Sequence, residues 1–198
     1  MKPFRVIKSK VTPLDLSNID TDQIIPKQFL KLIQRTGFGK YLFYDWRFDR
    51  YGNPKLKFVL NDPMYTGRQI LLARDNFGSG SSREHAVWAI QDYGFQAIIA
   101  QSFADIFYTN CLKVGLLPVY LSGEEIDYLF RNSENVNIEI DLFNQQVTMG
   151  SIITHFKIDE YRKKALLQGL DEIGITLQLE SEIAEYEKKN NKVILPQH

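Results

Sequence analysis

The segment Phe77–Ala86, which reads FGSGSSREHA, carries the residue types in this chain that are best suited to chemistry. Its two glycines, Gly78 and Gly80, allow a ligand to approach the backbone closely. Its serine hydroxyls can donate or accept a hydrogen bond. The guanidinium group of Arg83 can hold a carboxylate with two hydrogen bonds. The segment therefore predicts a site for a small anion, with serine hydroxyls beside it.

The predicted elements around this segment support the same interpretation. It follows a predicted strand over 69–73 and begins a predicted helix over 84–93. The first backbone N–H groups of a helix lack partners and the helix dipole is positive there, so anions bind at this position. A capping box with Ser81 as N-cap and Glu84 as its partner is an open alternative, and capping and ligand binding can coexist. His85 alone is more typical of a packed or surface residue than of a catalyst.

Two nucleotide-binding patterns do not match the segment. The dinucleotide-binding pattern needs a glycine at the position of Arg83, and the P-loop needs Gly-Lys followed by Ser or Thr, which is absent. The segment is therefore better suited to a small polyanion than to a dinucleotide.

The elements that must position the segment form a regular series. Apolar strands are predicted over 69–73, 95–100 and 116–121, with helices over 84–93 and 104–114 between them. This order predicts an α/β fold with a parallel βαβαβ core, in which ligands bind at the C-terminal ends of the strands. Ser122 is expected to cap a short helix over 124–131. Alternating residues then predict a small antiparallel appendage. The whole chain, 1–198, is expected to form one domain, with a polar C-terminal helix or tail over about 181–198.

Composition excludes several classes of protein. The 24 basic and 24 acidic residues cancel, which argues against a non-specific nucleic-acid binder. The single cysteine, Cys111, excludes an internal disulfide and any metal site built from several cysteines of this chain. Cys111 itself is expected to be a buried structural residue. The apolar runs are far shorter than the roughly 20 residues that span a bilayer. The expected compartment is the cytoplasm, with a reduced thiol.

Several motifs in the correct order make the resemblance to a known family specific. The loop Gly80–Ala86 is similar to the loop of the swivelling domain in the aconitase superfamily, which implies a swivelling β/β/α domain. Over roughly 4–190 the chain resembles the small subunits of bacterial isopropylmalate isomerases. The other matching motifs are Asn18–Phe29, Gly37–Gly39, Asp45–Phe48, Ser102–Phe107, Gly115–Val119 and Gln168–Leu177.

The resemblance implies a hydro-lyase that acts only as part of a pair. This family moves a hydroxyl group between adjacent carbons of 2-isopropylmalate, through isopropylmaleate, to give 3-isopropylmalate in leucine biosynthesis. The implied partner is a large subunit that carries a 4Fe–4S cluster, while the small subunit binds no metal or cofactor and closes over the small dicarboxylate substrate. Neither nucleic acid nor a membrane is an expected partner.

The resemblance also implies roles for individual residues. Ser81 matches the catalytic base, and Ser82 and Arg83 match contacts to the substrate carboxylates. Arg35 is the nearest match for a further substrate-binding arginine, with a solvated surface charge as its alternative. Leu42 and Phe43 match a loop that discriminates among substrate side chains; packing against the large subunit is the alternative.

The roles of two further residues are open, and two other functions compete with the one that the resemblance implies. Thr21 and Asp22 are interpreted as turn residues, with shaping of the site as the alternative. The competing functions are the small subunit of a related hydro-lyase that acts on homoaconitate, citraconate or dimethylmalate, and a module that binds a small anion without chemistry.

Overall fold

The computed structural model describes residues 1–31 and 36–189, except for the side chain of Glu172. Within these ranges, eight strands fall into two four-stranded sheets. The parallel sheet has the order β2-β3-β4-β5, and the antiparallel sheet has the order β1-β6-β7-β8. The strands are β1 Val6–Ser9, β2 Val11–Pro13, β3 Ile70–Leu72, β4 Ala97–Ala100, β5 Leu117–Tyr120, β6 Ile138–Asp141, β7 Gln146–Met149 and β8 Ile152–His155.

Eight α-helices connect and cover these strands in the described residues. They are α1 Thr21–Ile24, α2 Tyr44–Arg47, α3 Glu84–Tyr93, α4 Asp105–Val114, α5 Gly123–Arg131, α6 Glu160–Gln168, α7 Glu172–Gln178 and α8 Glu180–Lys189. As predicted, Ser122 caps α5, and Glu125 completes its capping box.

The parallel sheet is buried on both faces. The side chains of β3 and β4 are apolar and fully buried, as expected for strands that are covered on both sides. One face packs against α3, α4 and the segments before β3, through residues such as Leu71, Ile98 and Val87. The other face packs against the antiparallel sheet, where Ile99 and Ile140 share a core. The molecule is therefore layered as helices, parallel sheet and antiparallel sheet.

The antiparallel part is larger than the predicted appendage. The chain forms two strands before α1, and these belong to different sheets. β1 pairs with β6, whereas β2 pairs with β3. The antiparallel part is therefore a complete layer, and the parallel sheet gains a fourth strand. The prediction of one domain over 1–198 stays a prediction.

Candidate active site

A cleft of about 230 Å³ opens where the chain leaves β3 and β4. One wall comes from the loop between β3 and α3, and the opposite wall comes from the first turn of α4. This position agrees with the rule that ligands of parallel sheets bind at the C-terminal ends of the strands. The residues that line the cleft are Thr21, Gly78, Gly80, Ser81, Ser82, Arg83, Ala104, Asp105, Ile106 and Phe107.

The β3–α3 loop is fixed to the start of α4. The Phe77 N–H donates to the Ser102 carbonyl at 3.0 Å, and the Ala104 N–H donates to the Phe77 carbonyl at 3.0 Å. Gly78 has a φ of 77° and lies against Phe107, so closely that a Cβ at this position would lie 2.1 Å from Cγ of that ring. Only glycine fits here without moving α4, which explains this glycine of the motif.

The segment before α1 holds the same loop from the other side. The Gly78 N–H donates to the Ile19 carbonyl at 2.7 Å, and the Thr21 N–H donates to the Ser79 carbonyl at 2.9 Å. The buried Thr21 hydroxyl donates to the Ser81 carbonyl at 2.9 Å. The loop that carries the predicted site residues is therefore anchored on both sides by backbone contacts.

The Ser81 and Ser82 side chains are exposed and line the cleft. Within the described ranges, 1–31 and 36–189, neither hydroxyl forms a hydrogen bond. Helix α3 begins at Glu84, and its N-cap is Arg83, which makes no side-chain capping bond. The capping box with Ser81 as N-cap is therefore wrong, because the loop stays extended for two residues longer than that pattern requires. Both hydroxyls remain available to a ligand.

Arg83 is held in the cleft by Asp22. Its side chain is 11% exposed, and its Nη1 forms an ion pair with Asp22 Oδ1. That hydrogen bond holds the pKa of the Asp22 carboxyl below its usual value, and the nearby charge of Lys27, 3.6 Å away, acts in the same direction. In the described part of the chain, Arg83 forms no further hydrogen bond through its side chain. Its other N–H groups can therefore bind a carboxylate.

Two helix N-termini add positive potential to the cleft. The first turn of α4 lines the cleft, and α3 begins directly after Arg83. Neither helix has a side-chain N-cap. Unpaired N–H groups and the positive ends of both helix dipoles therefore favour an anion in this space, although Glu84 and Asp105, in the first turns of α3 and α4, offset part of this effect.

The sequence also singled out residues that lie elsewhere. Leu42 and Phe43 are both 0% exposed in the core, where Phe43 stacks on Trp46 with ring centroids 5.3 Å apart. Neither lines the cleft, so neither can touch a ligand there without a rearrangement of the core. Their packing partners lie within this chain. His85 packs edge-on against Phe38, as a packed or surface residue can. Arg35 lies outside the described residues.

The sequence predicts Thr21 and Asp22 as turn residues, with shaping of the site as the alternative, and it does not predict their partners. In the structure they begin α1 and contact Ser81 and Arg83. Asp22 and Arg83 are 61 positions apart, so no local spacing connects them. A signal is available only in their residue types, an acid in the first turn of α1 and an arginine directly before α3.

The described residues do not fit a metal cluster. They contain no group of three or more His, Cys, Asp or Glu side chains placed to hold a metal ion. Cys111 is fully buried, as expected, and burial raises the pKa of its thiol well above the usual value. A search of the same residues found no helix long and apolar enough to cross a membrane.

The fold and the cleft define the class of the protein. Residues 1–124 match the family model described as the aconitase C-terminal domain, and this part contains the parallel sheet and the whole cleft. Within this class, curated relatives named 3-isopropylmalate dehydratase small subunit are highly similar over nearly the full length. The chain belongs to the family of 3-isopropylmalate dehydratase small subunits, which confirms the resemblance.

Two relatives and one solved structure illustrate the match. The small subunit of a Geobacillus species (strain WCH70) is 59% identical over 193 residues, which cover 96% of this chain and 98% of that protein. The small subunit of Leptospira interrogans is 54% identical over 200 residues, with 98% and 97% covered. The crystal structure of 3-isopropylmalate dehydratase (leuD) from Methanocaldococcus jannaschii is 25% identical. It aligns with a TM-score of 0.68 over 91% of this chain and 99% of that chain.

Proposed function

We propose that this chain is the small subunit of a 3-isopropylmalate dehydratase and interconverts 2-isopropylmalate and 3-isopropylmalate together with a large subunit. The observation that carries the proposal is the pair of free serine hydroxyls beside Arg83, in a cleft at two helix N-termini. The substrate is a small dicarboxylate, which matches the size and the positive potential of the cleft. The proposed compartment is the cytoplasm, where a free cysteine stays reduced.

Arg83 and Ser82 bind a substrate carboxylate in this proposal. The guanidinium N–H groups that Asp22 leaves free can form two parallel hydrogen bonds with the carboxylate oxygens. Ser82 adds its hydroxyl from the same wall of the cleft. Arg35 would contribute a further cation to carboxylate binding. These contacts orient the carbon atoms of the substrate toward Ser81.

Ser81 is the proposed base. As an alkoxide, its Oγ takes a proton from carbon, the electron pair of the C–H bond forms the double bond of isopropylmaleate, and hydroxide leaves the adjacent carbon. A serine alkoxide needs a strongly positive environment, which Arg83 and the two helix N-termini supply. In the second half, hydroxide adds to the carbon that lost the proton, and the Ser81 hydroxyl gives its proton to the carbon that lost the hydroxyl group, which forms the isomer and regenerates the alkoxide.

The departing hydroxyl group requires an acid, which we assign to the large subunit. A 4Fe–4S cluster on that subunit would supply Lewis-acid chemistry when bound. The part of this chain that the structure describes does not fit such a group, so the proposed site is divided between two chains.

Leu42 and Phe43 have an indirect role in this proposal. Because both are buried, they would influence substrate discrimination by holding Tyr41 and Tyr44, which flank them and are partly exposed. The stacking of Tyr41 on Phe29, with ring centroids 4.0 Å apart, continues this aromatic cluster toward the surface.

The experiment that tests the proposal is reconstitution with a cognate large subunit, with isopropylmaleate followed by its ultraviolet absorbance. The pair should convert isopropylmalate, and the isolated chain should not. Ser81→Ala should abolish turnover without loss of assembly, whereas Ser79→Ala, which changes a loop side chain outside the cleft lining, should retain it.

Other outcomes would contradict the proposal in different ways. Turnover of homoaconitate, citraconate or dimethylmalate instead of isopropylmalate would assign a related hydro-lyase. Binding of the acids without any turnover by the pair would assign an anion-binding module. Near-normal kcat in Ser81→Ala would remove Ser81 as the base.

A further inference from the structure

Two buried threonines of this chain differ in what their hydroxyl groups contact. Thr12 on β2 and Thr21 at the start of α1 are both 1% exposed. The Thr12 hydroxyl has no hydrogen-bond partner within residues 1–31 and 36–189. The Thr21 hydroxyl donates to the carbonyl oxygen of Ser81 at 2.9 Å. Burial is therefore common to both hydroxyls, but only that of Thr21 contacts the backbone of the proposed base.

The hydrogen bond from Thr21 fixes the peptide plane that links Ser81 to Ser82. In a planar trans peptide, the carbonyl and the N–H point in opposite directions. Because the Ser81 carbonyl points at Thr21, the Ser82 N–H points away from it. That N–H has no backbone partner in the described part of the chain, and Ser82 lines the cleft. It is therefore a free donor for an anion.

Thr21 itself is held in place by independent contacts. Asp20 caps α1 and forms a capping box with Gln23, which fixes the first turn of the helix. The Thr21 N–H donates to the Ser79 carbonyl at 2.9 Å. The backbone and the side chain of Thr21 therefore bind two loop carbonyls, those of Ser79 and Ser81. This double contact couples the position of Ser81 to the rigid start of α1.

We infer that Thr21 is a positioning residue for the reaction: its hydroxyl orients the Ser81–Ser82 peptide so that the proposed base and the Ser82 N–H face the substrate together. This inference rests on the proposed function, because it assigns Ser81 to proton transfer. Thr21 does not touch the reacting atoms and acts only through the Ser81–Ser82 peptide. Its effect should therefore appear mainly in kcat.

The test compares hydroxyl removal at the two buried threonines in the reconstituted pair. Thr21→Val removes the hydroxyl and keeps the side-chain volume, whereas Thr21→Ala removes both. Thr21→Ser keeps the hydroxyl. Thr12→Val removes a buried hydroxyl that has no hydrogen-bond partner in the part of the chain that the structure describes. Misplacement of a reacting group by about 1 Å costs roughly a hundredfold in rate, so kcat should fall by about this factor in Thr21→Val and Thr21→Ala. KM should change less than kcat, because Arg83 and the Ser82 hydroxyl still bind the carboxylate. Affinity for the large subunit should be unchanged, and Thr21→Ser and Thr12→Val should behave as wild type.

Each other outcome overturns the inference. Wild-type kcat in Thr21→Val shows that the hydroxyl does not position Ser81. Loss of folding or assembly in both Thr21→Val and Thr21→Ala, or failure of Thr21→Ser to restore kcat, assigns a purely structural role. If the wild-type pair is active and the Thr21 variants keep its kcat, this inference is wrong but the proposed function stands. An inactive wild-type pair refutes the proposed function and this inference with it.

Discussion

The ion pair between Arg83 and Asp22 determines how the cleft can bind a carboxylate. Because the Arg83 hydrogen bond lowers the pKa of Asp22, this carboxyl stays ionised at lower pH than an isolated aspartate, whose pKa is about 3.9. The contribution of the pair to stability is present above that ordinary value and is lost as the pH falls through the lowered one. At neutral pH, Asp22 thus holds one edge of the guanidinium and leaves the remainder for a ligand.

Arg83→Lys tests whether that planar group is required. Lysine keeps the charge but cannot form two parallel hydrogen bonds with a carboxylate. The loss of one charge-assisted hydrogen bond, worth about 1.5–3 kcal/mol, corresponds to a KM roughly 10- to 100-fold higher. Steady-state kinetics of the reconstituted pair would measure this rise in KM. Arg50→Lys, at an exposed arginine beside Tyr51, is the control and should leave KM unchanged. Unchanged KM and kcat in Arg83→Lys would contradict the assigned role.

At the scale of elements, the sequence predicts well where the signal is local. The bounds of α3 are those predicted, because apolar spacing and Gly94 define them. Ser81, Ser82 and Arg83 are adjacent in sequence, so the loop as a unit could be recognised. The separation of β1 and β2 into different sheets and the ion pair between Asp22 and Arg83 depend on contacts between distant segments. Local periodicity carries no information about them.

The contact between the β3–α3 loop and α4 can be tested at Gly78. A non-glycine residue with positive φ costs about 1–2 kcal/mol, and overpacking adds about 1–3 kcal/mol. Gly78→Ala incurs both costs, because its Cβ would collide with Phe107. Gly52→Ala incurs only the first, because Gly52 has a φ of 84° and nothing within 4 Å of such a Cβ. Urea unfolding should therefore show a larger loss of stability for Gly78→Ala. Equal losses would show that the loop does not pack tightly on α4.

At the scale of the whole molecule, the parallel sheet is the central layer. Its helix-covered face carries the core beneath the cleft, and its other face shares a core with the antiparallel sheet. In that sheet Ile7, Ile140 and Val147 lie side by side on adjacent strands, and all three are buried. The two sheets therefore depend on each other for burial of their apolar surfaces, and we expect them to unfold together.

Ile140→Ala tests this dependence between the sheets. Ile140 is 0% exposed, and its truncation should cost about 2–5 kcal/mol. For a chain of this size, each kcal/mol lowers Tm by roughly 2–4 °C. Calorimetry should show one transition, displaced as a whole to lower temperature. Ile153→Ala on β8 is the matched control, because Ile153 is 58% exposed and its truncation should change stability by less than about 0.5 kcal/mol. Two separate transitions, with only the first displaced by Ile140→Ala, would show that the antiparallel sheet unfolds independently of the layer that carries the cleft.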